Sequence, residues 1–462
     1  MQINPLVPHS WGRIDLGDTP KSPGPSGTGR TPLFRGFNLK ICLLCYRGNK
    51  YCGGQGIYLY YLARELHRLG HEVDIIIGPP YCDIPDGVRA HKLDSLNLYD
   101  RRHDGRSILE FNHPYDMLTP FNLFEFGGTK LGMFPEIFTF SLKAYVKIRE
   151  LALEGHRYDV IHDNQCLAYG LLWMKTLGIP VVATIHHPLP IDTRAELAQT
   201  TSAWQRFRQL ILYPPFMQGI VSRRLDAVIT DSESSAGEIR REFRIADDKL
   251  HIAYCGVDTQ IFRNGNGHRP VSGDGHGRLI VVGRTSDRKK GILFLLKALQ
   301  ILKGEGVKVK LTVVDEVELN ETYAPDLIKK FGIEDMVMFT GRVSNDQLVH
   351  HYTSSDIAVT ASVYEGFGLP AAEAMSCEVP VITTSAGALP EVVGSDGSSG
   401  MLVPPEDPRA LADAIKHLLG DGELRKKLAV GGRKRIEERF TWEQCARRCV
   451  EVYEDVISAQ KR

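Results

Sequence analysis

Ile357-Ala-Val-Thr-Ala-Ser-Val-Tyr-Glu-Gly-Phe-Gly-Leu-Pro-Ala-Ala-Glu373 is the stretch from which the fold can be read. Its first four residues are a short apolar run suited to a strand. A glycine turn follows, and Pro370 then falls near the first turn of a helix, where its missing N–H costs nothing. Strand, glycine turn and helix in that order mark a unit of an α/β sheet. The turn also carries chemistry. Gly366 and Gly368 let backbone amides approach an anion, and the helix that begins near Leu369 adds its positive dipole end, so a diphosphate fits there. Glu373, one turn into the helix, can accept hydrogen bonds from a ribose diol. Glu365, in the loop, can address hydroxyls of a transferred group. Acids are favoured near helix starts by the dipole alone, so the motif gains its meaning from what surrounds it.

Upstream, Val281-Val282-Gly283-Arg284 ends a strand of the same lobe, and Arg288-Lys289-Lys290-Gly291 opens another helix. A guanidinium at Arg284 and an ammonium at Lys290 would stabilise the charge that develops on a departing diphosphate. A solvated basic turn is the plainer reading of the same residues. The rhythm of this half is regular. Strands are expected at Leu279 to Val282, Lys310 to Val314, Val337 to Phe339, Ile357 to Thr360 and Val379 to Thr383, with helices such as Ile292 to Leu302 between them.

The first half repeats that rhythm. Leu39 to Cys45, Val73 to Ile77, Asp159 to His162, Pro180 to Ile185 and Asp226 to Thr230 read as strands of one doubly wound sheet, with a helix over Gly56 to Leu69. Two α/β lobes joined by a linker place one cleft between their carboxyl strand ends. On the N-terminal side of that cleft, Cys52-Gly53-Gly54-Gln55-Gly56 follows the first strand, and Gly53 and Gly54 permit close contact with phosphates. His186-His187-Pro188 ends another strand. Adjacent histidines on extended chain face opposite ways, so one of the two, His186, is expected in the cleft; a zinc pair is not expected, because no third ligand is spaced nearby. His162-Asp163-Asn164-Gln165 ends a further strand, and His162 and Asn164 are taken as acceptor-binding groups.

Composition excludes several classes. The 462 residues exceed one compact core. Lys plus Arg and Asp plus Glu both total 56, which removes the global positive field of a non-specific nucleic-acid binder, so no nucleic-acid partner is expected. Nine cysteines without ligand spacing suit a reducing compartment, and the Cys42/Cys45 pair lies in an apolar run that reads as buried strand. No apolar stretch reaches a membrane span, and no secretory leader pattern opens the chain. The expected location is the cytoplasm. Ala203 to Arg224, aromatic with basic ends, reads either as a peripheral contact with the inner face of a membrane or as a core helix broken by Pro214 and Pro215. No Asp-x-Asp occurs, so no metal is expected on the diphosphate; Arg284, Lys290 and helix dipoles would replace it.

Taken together, Gly53-Gly54, the Gly283-Arg284 to Lys290-Gly291 segment, Phe339-Thr340-Gly341-Arg342-Val343, Glu365 to Glu373 and Gly400-Met-Leu-Val-Pro-Pro stand in the order found in family 4 glycosyltransferases. The chain resembles that family from about Leu39 to its C-terminus. The resemblance implies the GT-B fold, two facing Rossmann-like lobes, and retaining, metal-independent transfer from a nucleoside diphosphate sugar, UDP- or GDP-linked, with no other cofactor. It implies that Arg284 and Lys290 bind the diphosphate, Glu373 the ribose, and the backbone around Arg342 and Val343 the base. Glu365 and the amides of Gly366, Phe367, Gly368 and Leu369 would hold the donor sugar, with His186 near its reacting carbon. The expected division is a disordered tail at 1–36, an N-terminal acceptor lobe at 37–263, a linker at 264–277, a C-terminal donor lobe at 278–440, and a last helix at 441–462 that packs back on the N-terminal lobe. Two departures stand out: Val314-Asp315-Glu316-Val317-Glu318 lacks the usual glycine after the second strand of the donor lobe, and Gly53-Gly54 continues as Gln-Gly.

The leading expectation is therefore transfer of a hexose to an acceptor hydroxyl, in polysaccharide or glycolipid synthesis, with the departing phosphate taking the acceptor's proton. Two alternatives accompany it. Glu365 and Glu373 would serve a glycoside hydrolase if they faced one bond, and a non-catalytic nucleotide-sugar-binding protein would bind without turnover.

Overall fold

The computed structural model describes residues 38–48, 54–96, 119–130, 135–188, 215–265, 275–315 and 322–462. The tail at 1–36, Gly53, residues 203–214 of the aromatic stretch, residues 266–274 of the expected linker and residues 316–318 of the departing strand end lie outside them. The first sheet has seven parallel strands in the order β3-β2-β1-β4-β5-β6-β7. They are β1 (Lys40–Cys45), β2 (Glu72–Ile77), β3 (Arg89–Lys92), β4 (Val160–Asn164), β5 (Val181–Thr184), β6 (Ala227–Thr230) and β7 (Leu250–Ile252). The second has six, in the order β10-β9-β8-β11-β12-β13. They are β8 (Gly277–Val282), β9 (Val309–Val314), β10 (Val337–Phe339), β11 (Ile357–Thr360), β12 (Val381–Thr384) and β13 (Met401–Val403). This is the GT-B arrangement of two Rossmann-like lobes.

The central strands form where apolar residues run without alternation, because helices cover both faces of a parallel sheet. Every residue of β4, β5 and β6 is buried. Asp74 is the exception inside β2; it is 3% exposed and is answered by Tyr158 Oη at 2.7 Å and His91 Nε2 at 3.2 Å. β3, β7 and β13, which the sequence pattern did not single out, are edge strands of three or four residues. Seven helices matter for the site: α1 (Gln55–Arg68), α2 (Glu233–Phe243), α3 (Ile292–Gly304), α4 (Leu369–Ser376), α5 (Leu389–Val393), α6 (Gly422–Arg439) and α7 (Trp442–Gln460).

α7 belongs to the first sheet's side of the molecule. It starts with a capping box between Thr441 and Gln444, in which each side chain answers the other residue's amide. Trp442 then stacks on Tyr61 of α1, with ring centroids 5.2 Å apart and planes 9° from parallel. Further along, Tyr453 Oη meets His162 Nδ1 of β4. The chain thus crosses between the sheets twice, and the crossings touch: Val257 N–H donates to Phe440 C=O at 2.8 Å. Gly256 is required there, since a Cβ would lie 2.1 Å from the Trp442 nitrogen. One apolar cluster runs from Leu59 and Leu62 of α1 through Trp442 and Tyr453 to Ala372 and Met375 of α4.

Candidate active site

The carboxyl ends of β8 and β11 frame an open cavity. Gly283, Arg284 and Lys290 line it from the β8 side, Ser362, Glu365 and Pro370 from the β11 side. The two loops are fastened to each other. Val363 N–H donates to Lys289 C=O at 2.7 Å. Gly291 adopts φ +65°, and a Cβ there would fall 1.9 Å from Ala361 O, so only glycine lets the basic turn lie against the strand end.

Lys290 Nζ stands 2.9 and 3.0 Å from the two carboxylate oxygens of Glu365. Ser362 Oγ donates to Glu365 Oε2 at 2.9 Å. The Glu365 backbone is held as firmly: Ala388 N–H donates to its carbonyl at 3.0 Å, and Gly387, at φ +55°, leaves no room for a Cβ, which would lie 2.1 Å from Glu365 O. Glu365 is therefore a fixed acceptor with a cation on one side. Arg284 sits exposed at the cavity's edge. Thr285, the residue after it, gives its N–H to Asp315 Oδ2 at 2.8 Å and its hydroxyl to the same oxygen. This explains the departure at the end of β9: the carboxylate at 315 anchors the loop that presents Arg284.

Gly368 at φ +102° starts α4, with Pro370 in its first turn. Glu373, on that helix, receives Tyr352 Oη at 3.1 Å. Burial pushes its carboxyl up to about 7, against the Tyr352 bond, which lowers it. Phe367, expected among the donor-binding residues, has its ring 5% exposed and edge-on to Phe440 at 5.7 Å; only its backbone can face a donor. Arg342 and Val343 follow β10 at the same edge of the sheet, two strands from β8, and are not among the residues lining the cavity.

The first sheet brings His186 to this region. The ring is clamped: Nε2 is 2.9 Å from Asn164 Oδ1 and Nδ1 is 3.1 Å from Asp231 Oδ2. Tyr58 packs its ring edge-on at 4.8 Å. Asn164 Nδ2 donates to Gln55 C=O at 2.9 Å, which fixes the amide so that its oxygen faces the histidine. Both ring nitrogens are thus engaged within the first sheet's side, one by Asn164 and one by Asp231. The backbone of His186 is what approaches the other lobe. Ser235 Oγ is 3.4 Å from His186 O and 3.5 Å from Gly366 O. His187 turns the other way, with Nδ1 3.1 Å from Tyr364 Oη, and Tyr364 donates to Glu238 of α2 at 2.6 Å. Gly54 lies across from Leu369, whose Cδ1 would be 4.0 Å from an added Cβ.

Two expectations change. His162 is 2% exposed and bonded to Tyr453 and, at 2.7 Å, to Thr184 Oγ1; it is a strut between β4 and α7, not an acceptor-binding group on the rim. Burial lowers its pKa to about 3, with the neighbouring His186 adding to the effect. Asn164, 3% exposed, orients His186 instead of reaching an acceptor. Sequence spacing also missed that Asp231 and Cys255 come to His186, with the three donor atoms within 4.8 Å of one another. These are metal-ligating types, but they lie on the first sheet's side. The cavity itself presents the cationic Arg284 and Lys290 beside the Glu365 carboxylate. The eight described cysteines are free thiols.

Known proteins share this architecture. The family model described as Glycosyltransferase Family 4 matches residues 52–261, and the one described as Glycosyl transferases group 1 matches residues 270–435. An MMP alpha-(1->4)-mannosyltransferase from Mycolicibacterium hassiacum is 38% identical over 426 residues, covering 91% of this chain and 99% of that protein. The chain belongs to glycosyltransferase family 4. A D-inositol 3-phosphate glycosyltransferase from Xylanimonas cellulosilytica is 27% identical, over 87% of this chain and 91% of that one. Among solved structures, sucrose-phosphate synthase from Thermosynechococcus elongatus superposes with a TM-score of 0.67 at 22% identity, over 91% of this chain and all of that one. The Anabaena protein HepE, solved with UDP and glucose, gives 0.61 at 18% identity, over 89% of this chain and 98% of that one. At such identities the structures speak for the fold. The family makes the chain a glycosyltransferase enzyme. No described helix is long and apolar enough to cross a membrane.

Proposed function

We propose that this glycosyltransferase moves a hexose, most simply mannose, from a nucleoside diphosphate to a sugar hydroxyl, with retention at the anomeric carbon and without a metal. The observation that carries the reading is the fixed Lys290–Glu365–Ser362 cluster facing Arg284 in one cavity. Mannose is chosen because the relative at 38% identity is named a mannosyltransferase.

Arg284 and Lys290 hold the diphosphate and stabilise the charge it gains as the C1–O bond breaks. The amides at the start of α4 add to that field. Glu365, already bonded to Lys290 and Ser362, accepts hydrogen bonds from hydroxyls of the hexose and fixes its orientation. Glu373 addresses the ribose, and the backbone at Arg342 and Val343 the base. Both nitrogens of the His186 ring are engaged, by Asn164 and Asp231, and no proton transfer is assigned to it. The acceptor oxygen bonds C1 on the face that the diphosphate leaves, and its proton passes to the departing phosphate oxygen. Glycoside hydrolysis fits poorly, because Glu365 is engaged with Lys290 and Glu373 accepts a hydrogen bond from Tyr352, on the helix Asn345–Thr353.

Peripheral membrane contact through Ala203 to Arg224 stands as part of this proposal; Phe216, 75% exposed, is at its described end. Flotation with anionic vesicles tests it. The function itself is tested by incubating the protein with GDP-mannose, UDP-glucose and ADP-glucose, each with a panel of mannosides and glucosides and with EDTA present. Acceptor-dependent release of nucleoside diphosphate from one donor supports the reading. Release of sugar from an oligosaccharide without nucleotide refutes it.

A further inference from the structure

The helix that starts at Glu233 has its first-turn amides answered from two places. Ser232, its N-cap, accepts from Ser235 N–H. The two amides ahead of it are answered by the other lobe: Glu233 N–H and Ser234 N–H each donate at 2.8 Å to the two carboxylate oxygens of Glu391 on α5. Tyr254 Oη, on the crossing segment, adds a bond of 3.2 Å to the same group. A helix leaves its first N–H groups unpaired and its N-terminus positive, so a carboxylate is the favoured partner. Here that partner comes from across the cleft, and the pairing exists only while the two lobes hold this register.

Both ends of this clasp are wired to the site. On the donor side, α5 follows Gly387, which lies against the Glu365 backbone, and Ala388, whose N–H donates to the Glu365 carbonyl. Arg435 of α6 steadies α5 by donating to the carbonyls of Glu391 at 2.8 Å and Val392 at 2.7 Å. On the other side, the same first turn of α2 carries Ser235, whose hydroxyl lies between His186 O and Gly366 O. Moving Glu391 away from α2 would therefore move the loop of Glu365 and Gly366 away from His186. Glu391 itself does not line the diphosphate cavity.

We propose that Glu391 is a positioning residue that clasps the lobes in the register required for transfer, with the Glu233 and Ser234 amides as its receptor. This rests on the cleft being the hexosyl-transfer site proposed above. The chemistry of transfer needs the donor sugar and the acceptor within near-attack distance, and a misplacement of about 1 Å costs on the order of 100-fold in rate. Nucleotide binding, made by Arg284, Lys290 and α4 within one lobe, does not need the clasp.

The test compares wild type with Glu391→Ala and Glu391→Gln on three readouts: kcat at saturating donor, affinity for the nucleoside diphosphate by calorimetry, and deuterium exchange at the Glu233 and Ser234 amides. Glu391→Ala should lower kcat about tenfold or more while nucleotide affinity stays within about twofold. Its exchange at the two amides should rise. Glu391→Gln, which keeps one acceptor oxygen and loses the charge, should fall between. Unchanged exchange in Glu391→Ala, or a kcat within about twofold of wild type, overturns the clasp. So does a kcat loss matched by an equal loss of nucleotide affinity, which is what general destabilisation would give. A wild type that transfers no hexose refutes the functional reading, and the exchange result then decides the clasp by itself.

Discussion

Replacing Lys290 by Met removes the ammonium and keeps most of the stem. Lys290 Nζ is 2.9 and 3.0 Å from the Glu365 oxygens, and its stem lies along Gly283, whose added Cβ would be 3.7 Å from the lysine Cδ. Two effects follow. The diphosphate loses one of the two lining cations, and removing a single preorganised charge of this kind typically costs about 100- to 1,000-fold in kcat, roughly 2.7–4 kcal/mol. The ion pair itself should add modestly to folding: the lysine side chain is 30% exposed, the Glu365 side chain 11%, and fully exposed pairs contribute about 0–1 kcal/mol, while Ser362 still bonds Glu365 in the variant. The expected result is a kcat reduced by about two orders of magnitude with a melting temperature close to wild type. Lys290→Arg should recover only part, since the planar fork does not retrace a point charge. The assay is donor-saturated transfer, with thermal unfolding on the same preparations. A Met variant with kcat within about threefold of wild type would refute the assignment of Lys290 to the departing diphosphate. A parallel collapse of stability would instead show the Lys290–Glu365 pair to be a folding element.

Other perturbations address single links. Gly387→Ala places a methyl 2.1 Å from Glu365 O at φ +55°, so it should depress transfer strongly although Gly387 does not line the cavity; circular dichroism checks that the variant folds. His162 has a pKa near 3 in the folded protein, below its usual 6.5. The unfolded chain therefore binds a proton first as pH falls, and stability present above pH 6.5 is lost toward pH 3. The slope approaches 1.4 kcal/mol per pH unit, or about 2 kcal/mol between pH 6.5 and 4.5 once the half-slope at pH 6.5 is included. His162→Gln should flatten that slope in denaturant titrations. Glu373 is raised to about 7, so its charged form is disfavoured in the folded state and apo stability should decline as pH rises from 4.5 through 7. If the carboxylate accepts the ribose hydroxyls, nucleotide affinity should strengthen over the same rise, and Glu373→Gln should remove that dependence in calorimetry at pH 6 and pH 8.

The double α/β architecture was legible because a parallel sheet buried on both faces writes continuous apolar runs such as Val73 to Ile77 and Val181 to Ile185. β3, β7 and β13 were not: an edge strand of three or four residues has one neighbour and little to bury, and of the four edge strands only β10, Val337–Phe339, was singled out by its apolar run. Arg89–Lys92 contains no branched aliphatic residue at all. In the site, Arg284, Lys290 and Glu365 could be named from local order, since glycine turns at strand ends put them at one sheet edge. The partnership of Lys290 with Glu365 spans 75 positions and follows only from the way Gly291 nests on Ala361 O. His162 was misplaced for a physical reason. A polar residue at a strand end looks like a rim group unless the helix that covers it is known, and that helix, α7, arrives from 291 residues away with Tyr453. Within Val314 to Glu318, which lacks the usual glycine, the Asp315 carboxylate accepts from Thr285, a partner 30 positions away that local order does not reveal.

The stereochemistry of transfer is the most direct measurement of the central claim. Proton NMR of the first product formed from an α-linked nucleoside diphosphate hexose, or of the first sugar released when water replaces the acceptor, should show the α-anomer, and formation should persist in EDTA and fall with Lys290→Met. A β-anomer as the first product would contradict the account, because inversion requires a base on the face opposite the diphosphate, a role assigned here to no residue.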